Sequence, residues 1–181
     1  MNIPQINTYL KTHLQYTDYQ IQVLRYFFCT VASEISKFFI MGSYFFFCNS
    51  GWEYLFAVCI LWFLRFCSGG IHRKTYLGCL ICSFLYLILA VQILPIIPMP
   101  LWLQILSMAL AIPVSRRLGP AISPYRKHIT PAQSRRYQKY QTVGLLIYLL
   151  FIIVAPASPM QKVGYWVIMI HILQLTLAKR R

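Results

Sequence analysis

Long apolar runs separated by short polar breaks set the pattern of this chain. Residues 25–48 form the first long run, broken at Asn49-Ser50-Gly51, residue types that favour a turn over a helix interior. A shorter run, 52–66, ends beside Arg65. A third covers 74–94 and stops at Pro95, Pro98 and Pro100, which cannot continue a helix. Residues 101–115 follow, then a basic polar segment at 116–139. Two last runs, 142–154 and 163–178, are joined by Ala155-Pro156-Ala157-Ser158-Pro159. Runs of this kind predict helices, and about 20 apolar residues are needed to cross a bilayer. The fold class expected is an all-α membrane protein with about six transmembrane helices. Ahead of them, Ile3, Ile6, Leu10, Leu14, Ile21 and Leu24 recur at near-helical spacing with polar residues between. This predicts an N-terminal amphipathic helix within 1–24, lying on the membrane surface or packed on the bundle. Residues 1–181 then read as a single integral membrane domain, with 25–181 as the bundle. Met1 to Gln22 is too polar for a cleavable signal peptide.

Composition agrees with that pattern. The chain is 59% hydrophobic and only 11% charged, against about 25% charged residues in a soluble domain. Seventeen Lys and Arg against three carboxylates (Asp18, Glu34 and Glu53) give a net charge of +14. The cations sit at the ends of apolar runs, where topology and anionic lipid explain them, so no nucleic-acid partner is expected. With 116–139 as a cytoplasmic loop, Arg73-Lys74 and Lys179-Arg180-Arg181 also fall inside. The breaks at 49–53 and 95–100 fall outside and carry no Lys or Arg, and 155–162 carries only Lys162. This orientation predicts a multi-pass plasma-membrane protein with both termini cytoplasmic. Glu34 and Lys37 stand one helical turn apart and can neutralise each other near an interface. Thr130-Pro131-Ala132-Gln133 reads as a helix start, with Thr130 as cap and Pro131 in the first position. Most of the six cysteines lie within apolar runs, which argues against a disulfide framework. Cys79-x-x-Cys82 falls short of the four ligands a zinc site wants, so neither metal nor other cofactor is expected.

The candidate chemistry gathers in Arg65-Phe66-Cys67-Ser68-Gly69-Gly70-Ile71-His72-Arg73-Lys74-Thr75-Tyr76-Leu77-Gly78-Cys79. Two adjacent glycines destabilise a helix and permit positive φ. A loop or re-entrant segment is therefore expected at 67–73, with a helix starting near Lys74. Irregular backbone at membrane depth is tolerated only where protein covers it or a wet cavity lies beside it. On one straight helix, His72 and Cys79 would be separated by about 10 Å along the axis. A cysteine–histidine pair works at about 3 Å, so the glycine turn is what would bring His72 back to Cys79. Arg65, Arg73 and Lys74 gather positive charge around the thiol, the setting in which cysteines become reactive. Taken alone, a cysteine on an apolar helix more often simply packs.

The spacing Arg-x6-His-x6-Cys, carried by Arg65, His72 and Cys79 with Gly70 two residues before the histidine, resembles the accessory gene regulator protein B family (AgrB). Length, hydropathy and the basic Gly119-Pro120 to Arg126-Lys127 stretch also resemble that family, although Arg73-Lys74 is more basic than its pattern. The resemblance implies a membrane cysteine endopeptidase acting on an AgrD-like propeptide with an amphipathic leader, a signal segment and an acidic tail. Cys79 would attack a peptide carbonyl, and His72 would carry the proton from the thiol to the leaving amine. The implied product is a thiolactone or lactone ring, closed when a side chain attacks the acyl-enzyme. Gly69, Gly70 or Arg65 are candidates to bind the oxyanion, although Arg65 also suits a helix end at lipid headgroups. Arg116, Arg117, Arg126 and Lys127 are candidates to hold the acidic tail, or only fix topology. A group to orient His72 is not singled out: Ser68, Ser83, Gln92, Glu34 and Glu53 all remain open. Short spans are compatible with a homodimer. The site is expected on the cytoplasmic side, where thiols stay reduced. Two other readings stand beside this one. One is a small transporter with Gly69-Gly70 as a broken-helix site; the other is a membrane scaffold in which Cys79 only packs.

Overall fold

The computed structural model describes residues 16–69, 75–119, 130–156 and 158–179. All regular structure among them is helical: α1 (Asp18–Phe47), α2 (Gly51–Ser68), α3 (Tyr76–Ile88), α4 (Leu101–Leu118), α5 (Pro131–Val154) and α6 (Pro159–Lys179). α3 runs on into a π turn, Leu89–Ile93, and a short 3-10 turn, Leu94–Ile96. Pro95 explains the change, because it has no N–H to give and its ring crowds the carbonyl four residues back.

Several starts and stops have a local cause. Thr17 and Gln20 form a reciprocal cap: the Thr17 amide donates to Gln20 Oε1 at 2.9 Å and the Gln20 amide to Thr17 Oγ1 at 3.3 Å. With Asp18 in the first turn, this starts α1 well before the apolar run at residue 25. Asn49, with φ 54°, turns the chain between α1 and α2. Thr130 and Gln133 make the second capping box and Pro131 occupies the first turn of α5, as the sequence predicted.

The basic segment 116–139 is not a single loop. Arg116 and Arg117 belong to the last turn of α4, and Arg135, Arg136 and Lys139 lie on α5. Their charge concealed the helix from hydropathy, yet nothing in these side chains opposes helix once Thr130 has capped it. The expected loop at 67–73 also needs correction at its start. Cys67 and Ser68 are helical, and the turn begins at Gly69; Gly70, Ile71, His72 and Arg73 lie outside the described residues.

The chain divides into two compact units, Met1–Ser43 and Tyr44–Arg181. In the first, Lys37 Nζ pairs with Glu34 Oε1, one turn earlier on α1. In the second, α6 is central: it packs on α2, on α4 and on the π turn, while α4 and α2 also pack on α5. Its core residues Val163, Tyr165, Val167, Ile168 and His171 are all buried. That position explains why α6 carries Gln161 and His171, since a helix walled by protein can hold polar groups that lipid would penalise. The π turn sits at the far end of α3 from Cys79, and Gln92 within it accepts from the Tyr44 hydroxyl at 3.3 Å. Three helical stretches are long and apolar enough to cross a membrane: Gly51–Ser68, Tyr76–Ile96 and Pro131–Val154. Leu77, Ile81 and Leu85 form an exposed stripe along α3, and Leu146, Ile147, Leu150 and Ile153 another on α5. Apolar stripes of this extent suit a lipid surround.

Candidate active site

The helices of the second unit alternate in direction, which gathers specific ends together. Phe66 at the end of α2 meets Tyr137 near the start of α5, ring centroids 5.7 Å apart. Gln138 Nε2 reaches the Arg116 carbonyl at the end of α4, 3.4 Å away. At the opposite end, the Tyr148 hydroxyl donates to the Gln161 carbonyl at 2.6 Å, Gln161 Nε2 donates to Gln104 Oε1, and Gln104 Nε2 reaches the Met99 carbonyl at 2.9 Å. The end of α2, the start of α3, the end of α4 and the start of α5 therefore share one end of the bundle. Arg65, Gly69 and Cys79 and, from α4, Arg116 and Arg117 lie at that end, although far apart in sequence.

Two glycines close the helices that reach this end. Gly69 has φ 76° and ψ −168°, and Gly119 has φ 63° and ψ −177°. Both lie in a region open in practice only to glycine. Each amide bonds back to the fourth residue before it, Gly69 to the Arg65 carbonyl at 2.8 Å and Gly119 to the Ser115 carbonyl at 3.1 Å. Two separate helices thus end in the same left-handed cap.

Cys79 lies in the first turn of α3. Thr75 caps that turn, accepting from the Gly78 amide at 3.3 Å, and the Cys79 amide donates to the Thr75 carbonyl at 3.0 Å. The thiol is half-buried near the positive end of the helix dipole. One turn on, Ser83 is buried, and a further turn on, Tyr86 is buried with its hydroxyl donating to the Val167 carbonyl of α6 at 2.6 Å. Cys79, Ser83 and Tyr86 share the inward face of α3, whereas Cys82 is exposed. No disulfide occurs among the described residues.

Arg65 is half-buried in the last turn of α2, within electrostatic reach of both Tyr86 and His171. Arg116 and Arg117 are exposed on the last turn of α4. His72, Gly70, Arg126 and Lys127 lie outside the described residues. Of the five groups considered for orienting His72, two lie far from Cys79 or Ser68. Gln92 is about 20 Å along α3 from Cys79, and Glu53 opens α2 at the opposite end of the bundle from Ser68.

Sequence reasoning passed over His171, which is 1% exposed and stands 2.7 Å from Ser68 Oγ, itself 0% exposed. The available signal was an ionisable residue inside the apolar run 163–178. Its partner was not legible, because the two residues are 103 positions apart.

The family model described as accessory gene regulator B matches residues 3–175. A protein of Clostridium beijerinckii named as AgrB-like is 43% identical over 63 residues, 35% of this chain and 32% of that protein. The matched stretch therefore spans about a third of the length of that curated relative. No solved structure matches the chain.

Proposed function

Because the chain belongs to the accessory gene regulator B family, with its role in quorum-sensing peptide processing, we propose that it is a cysteine endopeptidase cutting an AgrD-like propeptide. The observation that carries this reading is the position of Cys79. It is half-buried in the first turn of α3, on the inward face, at the bundle end shared with Arg65 and Gly69.

Cys79 Sγ attacks the carbonyl carbon before the propeptide tail. His72 accepts the thiol proton as the S–C bond forms. The carbonyl oxygen takes up the negative charge, with Arg65 or the Gly70 backbone amide as donor; the Gly69 amide, a candidate by sequence, is already committed to the Arg65 carbonyl at 2.8 Å. The C–N bond then breaks, His72 returns the proton to the leaving amine, and the tail departs with a new N-terminus. The remaining acyl group stays on Cys79 as a thioester. A thiol or hydroxyl of the signal segment attacks it, closes the ring and regenerates the Cys79 thiol. The apolar surround of α3 keeps water from competing.

In this reading Arg116, Arg117, Arg126 and Lys127 hold the acidic tail. α1, α4 and α6 join the three apolar spans to make six crossings. The termini and the site face the cytoplasm, and the plasma membrane is its location.

The test is mass spectrometry of an acidic-tailed propeptide co-expressed with the wild type, Cys79→Ser or His72→Ala. Loss of the tail fragment in both variants, at normal membrane levels, is the expected result. Unchanged processing by Cys79→Ser overturns the mechanism and returns the choice to a transporter or scaffold.

A further inference from the structure

The geometry points to His171 as a positioning residue for this reaction, holding the last turn of α2 through Ser68; the inference rests on the peptidase reading above.

Ser68 Oγ lies 2.7 Å from the Leu64 carbonyl, and the same oxygen lies 2.7 Å from His171 Nε2. A hydroxyl has one proton: given to Leu64, it leaves His171 Nε2 as the donor to Ser68, and given to His171, it makes Nε2 the acceptor. In both cases the two side chains are tied, and Nδ1 stays buried with no hydrogen-bond partner among the described residues.

An imidazole in this position is an expensive way to fill space, because a buried polar atom without a partner is penalised. A leucine would pack against α2 at lower cost. What the histidine adds is a directional tie from the central helix to one residue. Ser68 is the last helical residue of α2, directly before Gly69 and one turn after Arg65. Fixing Ser68 therefore fixes the helix end from which both the Arg65 side chain and the Gly69 turn depart. Tyr86 supplies the matching tie on α3, since its hydroxyl bonds the Val167 carbonyl one turn before His171 on the same face of α6. The central helix thus holds, at neighbouring levels, the helix that ends at the glycine turn and the helix that begins beneath Cys79. His171 acts on the chemistry through Ser68 and touches no reacting atom.

The test uses iodoacetamide on the full-length protein in detergent, with alkylation read residue by residue by peptide mass spectrometry. Cys82, exposed and one turn from Cys79, is the internal reference. In the wild type Cys79 should react faster than Cys82. His171→Leu should lower the Cys79-to-Cys82 rate ratio about tenfold or more, as small misplacements of a reacting group do. His171→Gln, whose amide can take the place of Nε2 as donor or acceptor, should restore most of it. Ser68→Ala should reproduce the loss without altering α6, and adding His171→Leu to it should lower the ratio no further. A ratio unmoved by His171→Leu overturns the inference. So does a His171→Gln ratio as low as that of His171→Leu, which would reduce the residue to packing. A wild-type Cys79 no faster than Cys82 would overturn the peptidase reading itself, whereas a fast Cys79 indifferent to His171 overturns only the positioning role.

Discussion

Tyr86 donates its hydroxyl proton to the Val167 carbonyl across 2.6 Å, which sets α3 and α6 in register at that level. α3 and α6 run in opposite directions, so moving from Tyr86 towards Cys79 is moving along α6 past His171. By that register the half-buried thiol lies at a level beyond the Ser68–His171 pair, towards the end where α2 finishes. Val167 keeps its own helix bond when the phenol is removed, so Tyr86→Phe should cost only about 0.5–1.5 kcal/mol, with about 0.6 kcal/mol typical inside a bilayer. Thermal unfolding in detergent should show a fall of a few degrees. A drop equivalent to more than about 3 kcal/mol would mean that the hydroxyl serves something beyond this one carbonyl.

The matched caps at Gly69 and Gly119 offer a paired experiment. Both glycines hold a conformation that L side chains rarely adopt, so Gly69→Ala and Gly119→Ala should each destabilise by about 1–3 kcal/mol. At Gly119 a methyl would also meet Gln138 Nε2 at 3.1 Å. Their effects on processing should differ. Gly69 launches the stretch that leads to His72, so Gly69→Ala should nearly abolish tail release. Gly119→Ala should leave the chemical step largely intact. Comparing kcat at matched membrane levels separates them, and equal losses would refute a special role for the α2 cap.

Close packing around α6 predicts an order between two other glycines. A Cβ on Gly164 would run into Tyr148 Oη and would meet Ile60 Cδ1 at 2.7 Å. That phenol is pinned by its bond to the Gln161 carbonyl and cannot swing away freely. The atoms nearest a Cβ on Gly144 belong to the Phe63 ring, which is 41% exposed and can turn outwards. Gly164→Ala should therefore cost about 1–3 kcal/mol, as overpacking does, and Gly144→Ala clearly less. The two melting temperatures decide it, and the reverse order would be inconsistent with this packing.

The sequence made some of this legible, and physics says which parts. The turn at Asn49-Ser50-Gly51 and the cap at Thr130-Pro131 were readable because each is decided by a few adjacent residues. Thr17-x-x-Gln20 carries the same kind of local signal, but the polar neighbourhood drew it into a surface-helix reading. Helices and apolar runs differ in extent where hydropathy and helix propensity part company, at Cys67-Ser68 and at Arg135, Arg136 and Lys139, which lie inside the helix that Thr130 starts. Side chains such as arginine and lysine form helix readily while scoring as loop. Cys79 stood out through its spacing to Arg65 and His72, which is a linear signal. The pairing of His171 with Ser68 did not, because that bond exists only after α6 has packed on α2.

Arg116 and Arg117 give the electrostatic prediction. Both are exposed on the last turn of α4, at the bundle end shared with Gly69. If they hold an acidic tail, Arg116→Gln with Arg117→Gln should raise KM for tail release several-fold and leave kcat near wild type. The wild-type KM should rise with salt and that of the double variant should rise less, since exposed charge attraction is screened over about 10 Å at 0.1 M ionic strength. A fall in kcat at constant KM would instead assign the pair to the reacting end of the site.

The arrangement of helix ends also predicts membrane sidedness. Thr75 caps α3 and Thr130 caps α5, and both lie at the bundle end where α2 and α4 finish. Cys48 follows α1 at the turn into α2, and Ser158 precedes α6, both at the opposite end. In a background lacking the other native cysteines, Thr75→Cys and Thr130→Cys should resist a membrane-impermeant maleimide in intact cells and react after permeabilisation. Cys48 and Ser158→Cys should react in intact cells. The two members of each pair must behave alike, because the fold puts them at one end whichever way the bundle is inserted. Inversion of both pairs would keep the six-crossing bundle and reverse only its orientation, moving the thiol to the oxidising face. Disagreement within a pair would break the six-crossing arrangement itself, since an odd number of the helices would then fail to cross.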